Sequence, residues 1–271
     1  MEKIAVISDI HGNMPAFEAV LKDIKDRGIK RIFCLGDIVG KGPHPEKALD
    51  ICREKCEGVT LGNWDFSIAD GKGPPFLNLG WHRARLGVER LEYLKHLPPV
   101  INFTLSGRKV RLFHASQIGV FHRVHMRGTT EQHEAMFTNT EFTGENFTPD
   151  TVGYGDIHHV YCRSRLGRIL FNAGSVGNAL DEPTAAYAIM EGNFGDEKQG
   201  YFSLQFIRLL YDKELAIRQA QEEGMPDWEP YAAELRTAVY RGLPGSEDPK
   251  LTAIRKIENR GDPRPGIQEP G

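Results

Sequence analysis

The chain has 271 residues, with 34 Lys and Arg against 37 Asp and Glu, a formal charge of −3, and 40% hydrophobic residues. That composition is ordinary for a globular protein and long enough for one large core, and it lacks the positive field that binding a nucleic-acid duplex or an anionic membrane requires. No stretch approaches the ~18 apolar residues of a membrane span, and the opening Met1 through Ser8 is too short and too soon acidic for a secretory signal. The four cysteines, Cys34, Cys52, Cys56 and Cys162, are scattered and imply no disulfide framework, which predicts a reducing, cytoplasmic compartment.

Residues 3–8 form an apolar run ending in a polar turn, as a buried strand does. Asn13 can cap a following helix, Pro15 suits its first turn, Phe17, Val20, Leu21 and Ile24 share one face, and Gly28 stops it. A second strand over 29–35, a second helix over 45–56 and a short strand over 58–61 complete a β-α-β-α-β rhythm. This predicts an α/β fold with a largely parallel sheet. Residues 64–107 read as an insertion: a Gly/Pro-rich loop over 71–75, then a helix over 81–97. A strand over 109–113 precedes a long loop, 116–150, with one helix near 130–137; a loop of that length inside a domain is usually functional. Strands are predicted over 151–154, 168–171, 185–191 and 201–209, the last two adjacent and antiparallel. The catalytic unit is thus expected to span 1–211, with helices over 213–223 and 228–241 packed on it and a poorly ordered tail over 242–271.

Metal-capable side chains recur where these strands end. Asp9 and His11 follow the first, Asp37 the second, Asn63 and Asp65 the third, His114 the 109–113 strand, and Asp156 and His158 the 151–154 strand. One such residue is weak evidence, since Gly-Asp is a common turn and a His after a strand is usually structural. Five in chain order at one sheet edge, where α/β folds bind ligands, point to a shared site. Asp, His and Asn without Cys describe a borderline-hard site suited to manganese or iron, with zinc, nickel or magnesium as alternatives.

The ordered set Asp9-x-His11, Gly36-Asp37, Gly62-Asn63-x-Asp65, His114 and Gly155-x-x-His158 resembles the signature of the calcineurin-like metallophosphoesterases, and Asn172 to Gly177 resembles the Gly-Ser turn that follows it in that family. The resemblance implies a four-layer fold, two central mixed sheets flanked by helices, around two divalent ions. By position, Asp9, His11 and His158 would hold the first ion, Asp37 would bridge, and Asn63, His114 and Asp156 would hold the second. Such a pair sharpens a shared water against phosphorus, with Asp37, Asn63 and His114 at the reacting centre and Asp65 orienting the loop.

Two positions depart from the family pattern. Trp64 stands where the family usually has a histidine that assists the leaving group, and indole transfers no proton at neutral pH. Asp156 stands where a neutral imidazole is usual, which makes the site one charge less positive. Both favour a phosphodiester or phosphoanhydride in a small nucleotide-type substrate. The alternatives are a broad phosphomonoesterase or protein phosphatase, and a non-catalytic metal-binding scaffold for a protein partner. Candidate substrate contacts are His44, Trp64, Arg123, His125 and Arg127. The sequence leaves the oligomeric state open.

Overall fold

The structure, a computed structural model, describes residues 1–240; the tail expected over 242–271 lies outside them. Ten strands form two five-stranded mixed sheets. The first contains β1 (Glu2–Ile7), β2 (Arg31–Cys34), β3 (Gly58–Val59), β9 (Ala185–Gly192) and β10 (Ser203–Leu209) in the order β10-β9-β1-β2-β3. Within it β1, β2 and β3 run parallel and β9 and β10 antiparallel. The second contains β4 (Val100–Leu105), β5 (Arg108–Phe113), β6 (Thr151–Tyr154), β7 (Val160–Arg165) and β8 (Arg168–Ala173) in the order β4-β5-β6-β8-β7. Here β5, β6 and β8 are the parallel core.

The four layers follow from period-two alternation with both faces covered. In β1, Ile4 and Val6 face the second sheet with Phe33, Leu112 and Phe171, while Ala5 and Ile7 face the helices. Those helices are α1 (Met14–Asp26), α2 (Pro45–Lys55), α3 (Asn63–Asp70) and α4 (Leu79–Lys95). Asn13 caps α1 as expected, its side chain accepting from the Ala16 amide. Helix α4 is two pieces joined at Gly87, whose φ of 69° breaks the helical path. On the other side, the 116–150 segment with α5 (Thr130–Ala135) is the fourth layer: Val124, Met136 and Phe137 cover Phe113, Val152 and Tyr154 on the outer face of the second sheet. The C-terminal helices α6 (Lys213–Glu222) and α7 (Trp228–Thr237) make their own apolar cluster against Trp81 and Tyr211, and Tyr211 bonds to Asn13 at the start of α1.

Three elements were not anticipated. Strands β4 and β7 are sheet edges whose alternating polar residues (Asn102 and Thr104; Arg163 and Arg165) dilute the apolar run that marks a central strand. Helix α3 is only eight residues long and begins inside the Gly62-Asn63 motif itself. No helix among the described residues is long and apolar enough to cross a membrane.

A fully buried Arg111 on β5 pins the outer layer. Its guanidinium donates to Asn102 Oδ1 (3.0 Å), Asn139 Oδ1 (3.0 Å), the Thr138 carbonyl (3.2 Å) and the Phe147 carbonyl. Replacing it with Met strands these acceptors, so Arg111→Met is expected to destabilise the fold by about 2–3 kcal/mol. Urea unfolding would read that loss, and limited proteolysis would show earlier cleavage in the 116–150 layer.

Candidate metal centre

The ligand-bearing loops leave β1, β2 and β3 of one sheet and β5 and β6 of the other, and meet at a common rim between them. Asp9, His11, Asp37, Asp156 and His158 all have left-handed backbones, with φ between 50° and 64°. Non-glycine residues rarely adopt this conformation, and five at one site indicate that the surrounding structure over-determines their positions. The neighbouring glycines serve a different need, close approach. A Cβ on Gly62 would lie 2.2 Å from the Asp37 amide nitrogen and carboxylate, and one on Gly155 would lie 2.0 Å from Ser8 Oγ.

Asp9, His11, Asp37 and His158 are buried, with one ligand atom from each lying within 4.8 Å of all the others. His158 Nε2 is 3.2 Å from Asp9 Oδ1 and 3.3 Å from His11 Nε2; His11 Nε2 is 3.7 Å from Asp37 Oδ2. The other oxygen of Asp37 faces a second group. Oδ1 is 3.5 Å from His114 Nε2, which lies 2.8 Å from Asn63 Oδ1 and 3.9 Å from Asp156 Oδ1. Asp37 therefore stands between two half-sites with one oxygen turned to each.

The rings are fixed from behind. Nδ1 of His11, His114 and His158 donates to the carbonyls of Val39 (3.2 Å), Leu35 (2.8 Å) and Asn178, so each ring aims Nε2 inward. Asp65 accepts from the Ile38 (3.0 Å), Val39 (3.2 Å) and Gly62 (3.2 Å) amides, tying the loop after β2 to the start of α3. The Gly-Ser turn acts in the same way: Ser175 Oγ bonds to the Asp9 carbonyl (2.8 Å) and accepts from the Asn178 amide (2.9 Å).

The electrostatics favour a cation. Burial pushes the Asp37 carboxyl well above its ordinary range, and Asp9 Oδ1 is sealed from solvent without a hydrogen-bond partner. Burial alone would lower the pKa of His114, but Asp37, Asp9 and Asp156 outweigh it and raise the value to about 9. Carboxylates, imidazoles and an amide oxygen, short of positive charge and held rigid, suit divalent ions.

Above this floor opens a cavity of about 370 Å³. Asp37, Asn63, Asp156 and His158 line its base, and Trp64, Leu77, Phe121 and Leu180 are among its walls, with Lys41, Arg123, His125 and His159 as polar groups. Trp64 donates its backbone N–H to Asp37 Oδ1 (2.8 Å), lies against Gly40, and meets the His11 ring edge-on at 5.7 Å. Arg123 grips Asp156 with a two-pronged contact, Nε to Oδ2 at 2.8 Å and Nη2 to Oδ1 at 2.7 Å. It thus offsets the charge that the Asp156 substitution removes from the site. His125, held neutral by burial with a pKa near 4, packs against His159. Neither His44 nor Arg127 is on the cavity wall: the buried His44 ring sits 4.0 Å from Glu46 and Glu223 at the α2–α6 junction, where helix packing claims it.

Sequence reasoning missed Lys41, Asn178 and Glu234. Lys41 Nζ donates to Asn178 Oδ1 (2.6 Å) and Glu234 Oε2 (3.3 Å), and Asn178 Nδ2 donates to Glu234 (2.9 Å). The only local signal is Lys41 between Gly40 and Gly42 and Asn178 after the Gly-Ser turn; Glu234 has none.

The family model for the calcineurin-like phosphoesterase superfamily domain matches residues 2–193. The chain belongs to this superfamily. An uncharacterized protein of Methanocaldococcus jannaschii is 30% identical over 250 residues, covering 83% of this chain and 94% of that one. The metallophosphoesterase of Sphaerobacter thermophilus superposes with a TM-score of 0.68 at 24% identity, over 88% of this chain and 99% of that one. A hypothetical protein of Pyrococcus horikoshii gives 0.70 at 21% identity, over 90% and 100%. The fold is therefore that of the metallophosphoesterases, and the buried Asp/His group is able to hold a metal ion.

Metal uptake by metal-free protein must expel the protons that Asp37 and His114 retain, since both pKa values are raised. Affinity for Mn²⁺ is therefore expected to climb as pH rises toward about 9, with net proton release. Calorimetry in buffers of differing protonation enthalpy measures both; an affinity that is flat with pH would contradict this account.

Proposed function

We propose that this calcineurin-like phosphoesterase is a two-metal hydrolase of phosphodiester or phosphoanhydride bonds in a small nucleotide-type substrate. One observation carries the reading: the Asp37 carboxylate turns one oxygen to the His11 group and the other to the His114 group, at the base of a largely apolar cavity. In this reading Asp9, His11 and His158 hold one ion, Asn63 and His114 with Asp156 the other, and Asp37 both. Residues 1–211 form the catalytic unit, with α6 and α7 as its extension. Manganese or iron suits the donor set best. When bound, the ions supply Lewis acidity and an acidified water.

The protein's own groups do the rest. Asn63 and His114 fix the half-site next to the entering phosphoryl group, and Asp65 keeps the two loops in register. Trp64 and the apolar walls accept a base or sugar and exclude water. No acid stands at position 64, so the leaving group must be a stabilised anion, as in a nucleotide phosphate. A phosphomonoesterase is the second reading, favoured by Arg123, which returns positive charge to the site.

Turnover of bis(p-nitrophenyl) phosphate, p-nitrophenyl phosphate and a dinucleoside polyphosphate with Mn²⁺ tests the choice. The diester or anhydride is expected to be the better substrate by kcat/KM; a monoester preferred over both would reverse the order. In the same assay Trp64→His is expected to raise monoesterase turnover toward the ~100-fold that a positioned acid contributes, and no gain would remove the leaving-group argument. The same assay separates both readings from a metal-binding scaffold, which would hold its ions and turn over none of the three substrates.

A further inference from the structure

Arg123 and Asp156 are 33 residues apart in sequence and meet through both carboxylate oxygens. The Asp156 side chain is 3% exposed and that of Arg123 is 53% exposed, so an almost sealed carboxylate holds a guanidinium that opens to the cavity. Strand β6 sets both partners. Asp156 follows its end, with its backbone amide on Asp9 Oδ2 (3.2 Å), and the Tyr154 hydroxyl donates to the carbonyl of Val124 (3.1 Å), the residue next to Arg123. Val124 is itself buried between the outer layer and the second sheet. The guanidinium is therefore fixed from its backbone and from its head group, which is unusual for an Arg in a long connecting segment.

A guanidinium carries five N–H groups, and Asp156 takes two of them, one on Nε and one on Nη2. The rest remain for another acceptor on the wall that also contains Asp37 and Asn63. We propose that Arg123 is the receptor for a non-bridging oxygen of the substrate phosphoryl group and that Asp156 is the positioning residue that aims it. The pair is neutral as a unit, so it places a cationic head beside the phosphoryl site while the carboxylate absorbs its field on the side of Asp9 and His114. It replaces a neutral imidazole with a fixed hydrogen-bonding fork that gives up no proton at any working pH. Arg123 thus binds and orients phosphate but does not protonate a leaving group. The proposal rests on the phosphoesterase reading above and adds the residue by which that site recognises the phosphoryl group.

The test uses the full chain loaded with Mn²⁺ and inorganic phosphate as the probe, in wild type, Arg123→Ala and Arg123→Lys. Arg123→Ala is expected to raise the phosphate inhibition constant and the substrate KM by about tenfold, with a smaller change in kcat, because one charge-assisted hydrogen-bonding partner is lost. Metal content should match wild type, while the unfolding temperature is expected to fall, because the almost sealed Asp156 carboxylate loses its counter-charge. Arg123→Lys keeps the charge but cannot be gripped through two oxygens, so it is expected to recover less than half of the loss on a logarithmic scale. A phosphate constant within twofold of wild type for Arg123→Ala would overturn the receptor role, and full recovery by Lys would overturn the positioning role of Asp156. Loss of an ion in Arg123→Ala would also overturn the proposal, because Arg123 would then be supporting the metal rather than the phosphate. If the Mn²⁺-loaded wild type neither binds phosphate nor hydrolyses any phosphoester, it is the phosphoesterase reading that fails, not this assignment.

Discussion

The structure is organised around the burial of Asp37. A carboxylate removed from water costs several kcal/mol unless a counter-charge meets it, and this one stands where two sheets converge, with Asp9 and Asp65 adding their own negative fields. Imidazoles from the first sheet and from the second approach it from opposite sides at 3.7 and 3.5 Å. The rim can therefore form only if both sheets arrive in register, because each contributes half of what surrounds this one side chain.

That demand explains where strain is tolerated. Left-handed backbones at Asp9, His11, Asp37, Asp156 and His158 each cost on the order of 1–3 kcal/mol. They persist because the flanking bonds are numerous: Asp65 on three amides, Ser175 across to Asp9, and Asn178 behind His158. The sandwich core supplies the energy, since Ile4, Val6, Phe33, Leu112 and Phe171 interlock between the sheets. Rigidity at the rim and density in the core are two aspects of the same packing.

Much of this was legible in the sequence because its signals are local. An apolar strand, a glycine and a ligand lie within a few residues of one another, so each strand end announces itself, and the order of those ends carries the family resemblance. What stayed hidden is set by contacts between distant positions. Nothing near Asp156 signals that Arg123 will occupy both its oxygens, and that contact changes the charge count on which a reading of substrate charge depends. The 116–150 segment read as a loop because its polar residues outnumber its apolar ones, yet Val124, Met136 and Phe137 suffice to close the outer face of the second sheet. Edge strands β4 and β7 escaped notice for a related reason: a strand with a neighbour on one side only does not need a continuous apolar run.

Lys41, Asn178 and Glu234 link α7 to the loop after β2 and to the Gly-Ser turn. The side chain of Asn178 is held by Lys41 and Glu234, while its backbone carbonyl orients the His158 ring. Fraying of α7 would take the Glu234 carboxylate from both Lys41 and Asn178 and loosen the carbonyl behind that imidazole. Helix α7 and the ligand-bearing rim are thus tied through one side-chain cluster, and loosening the one loosens the other.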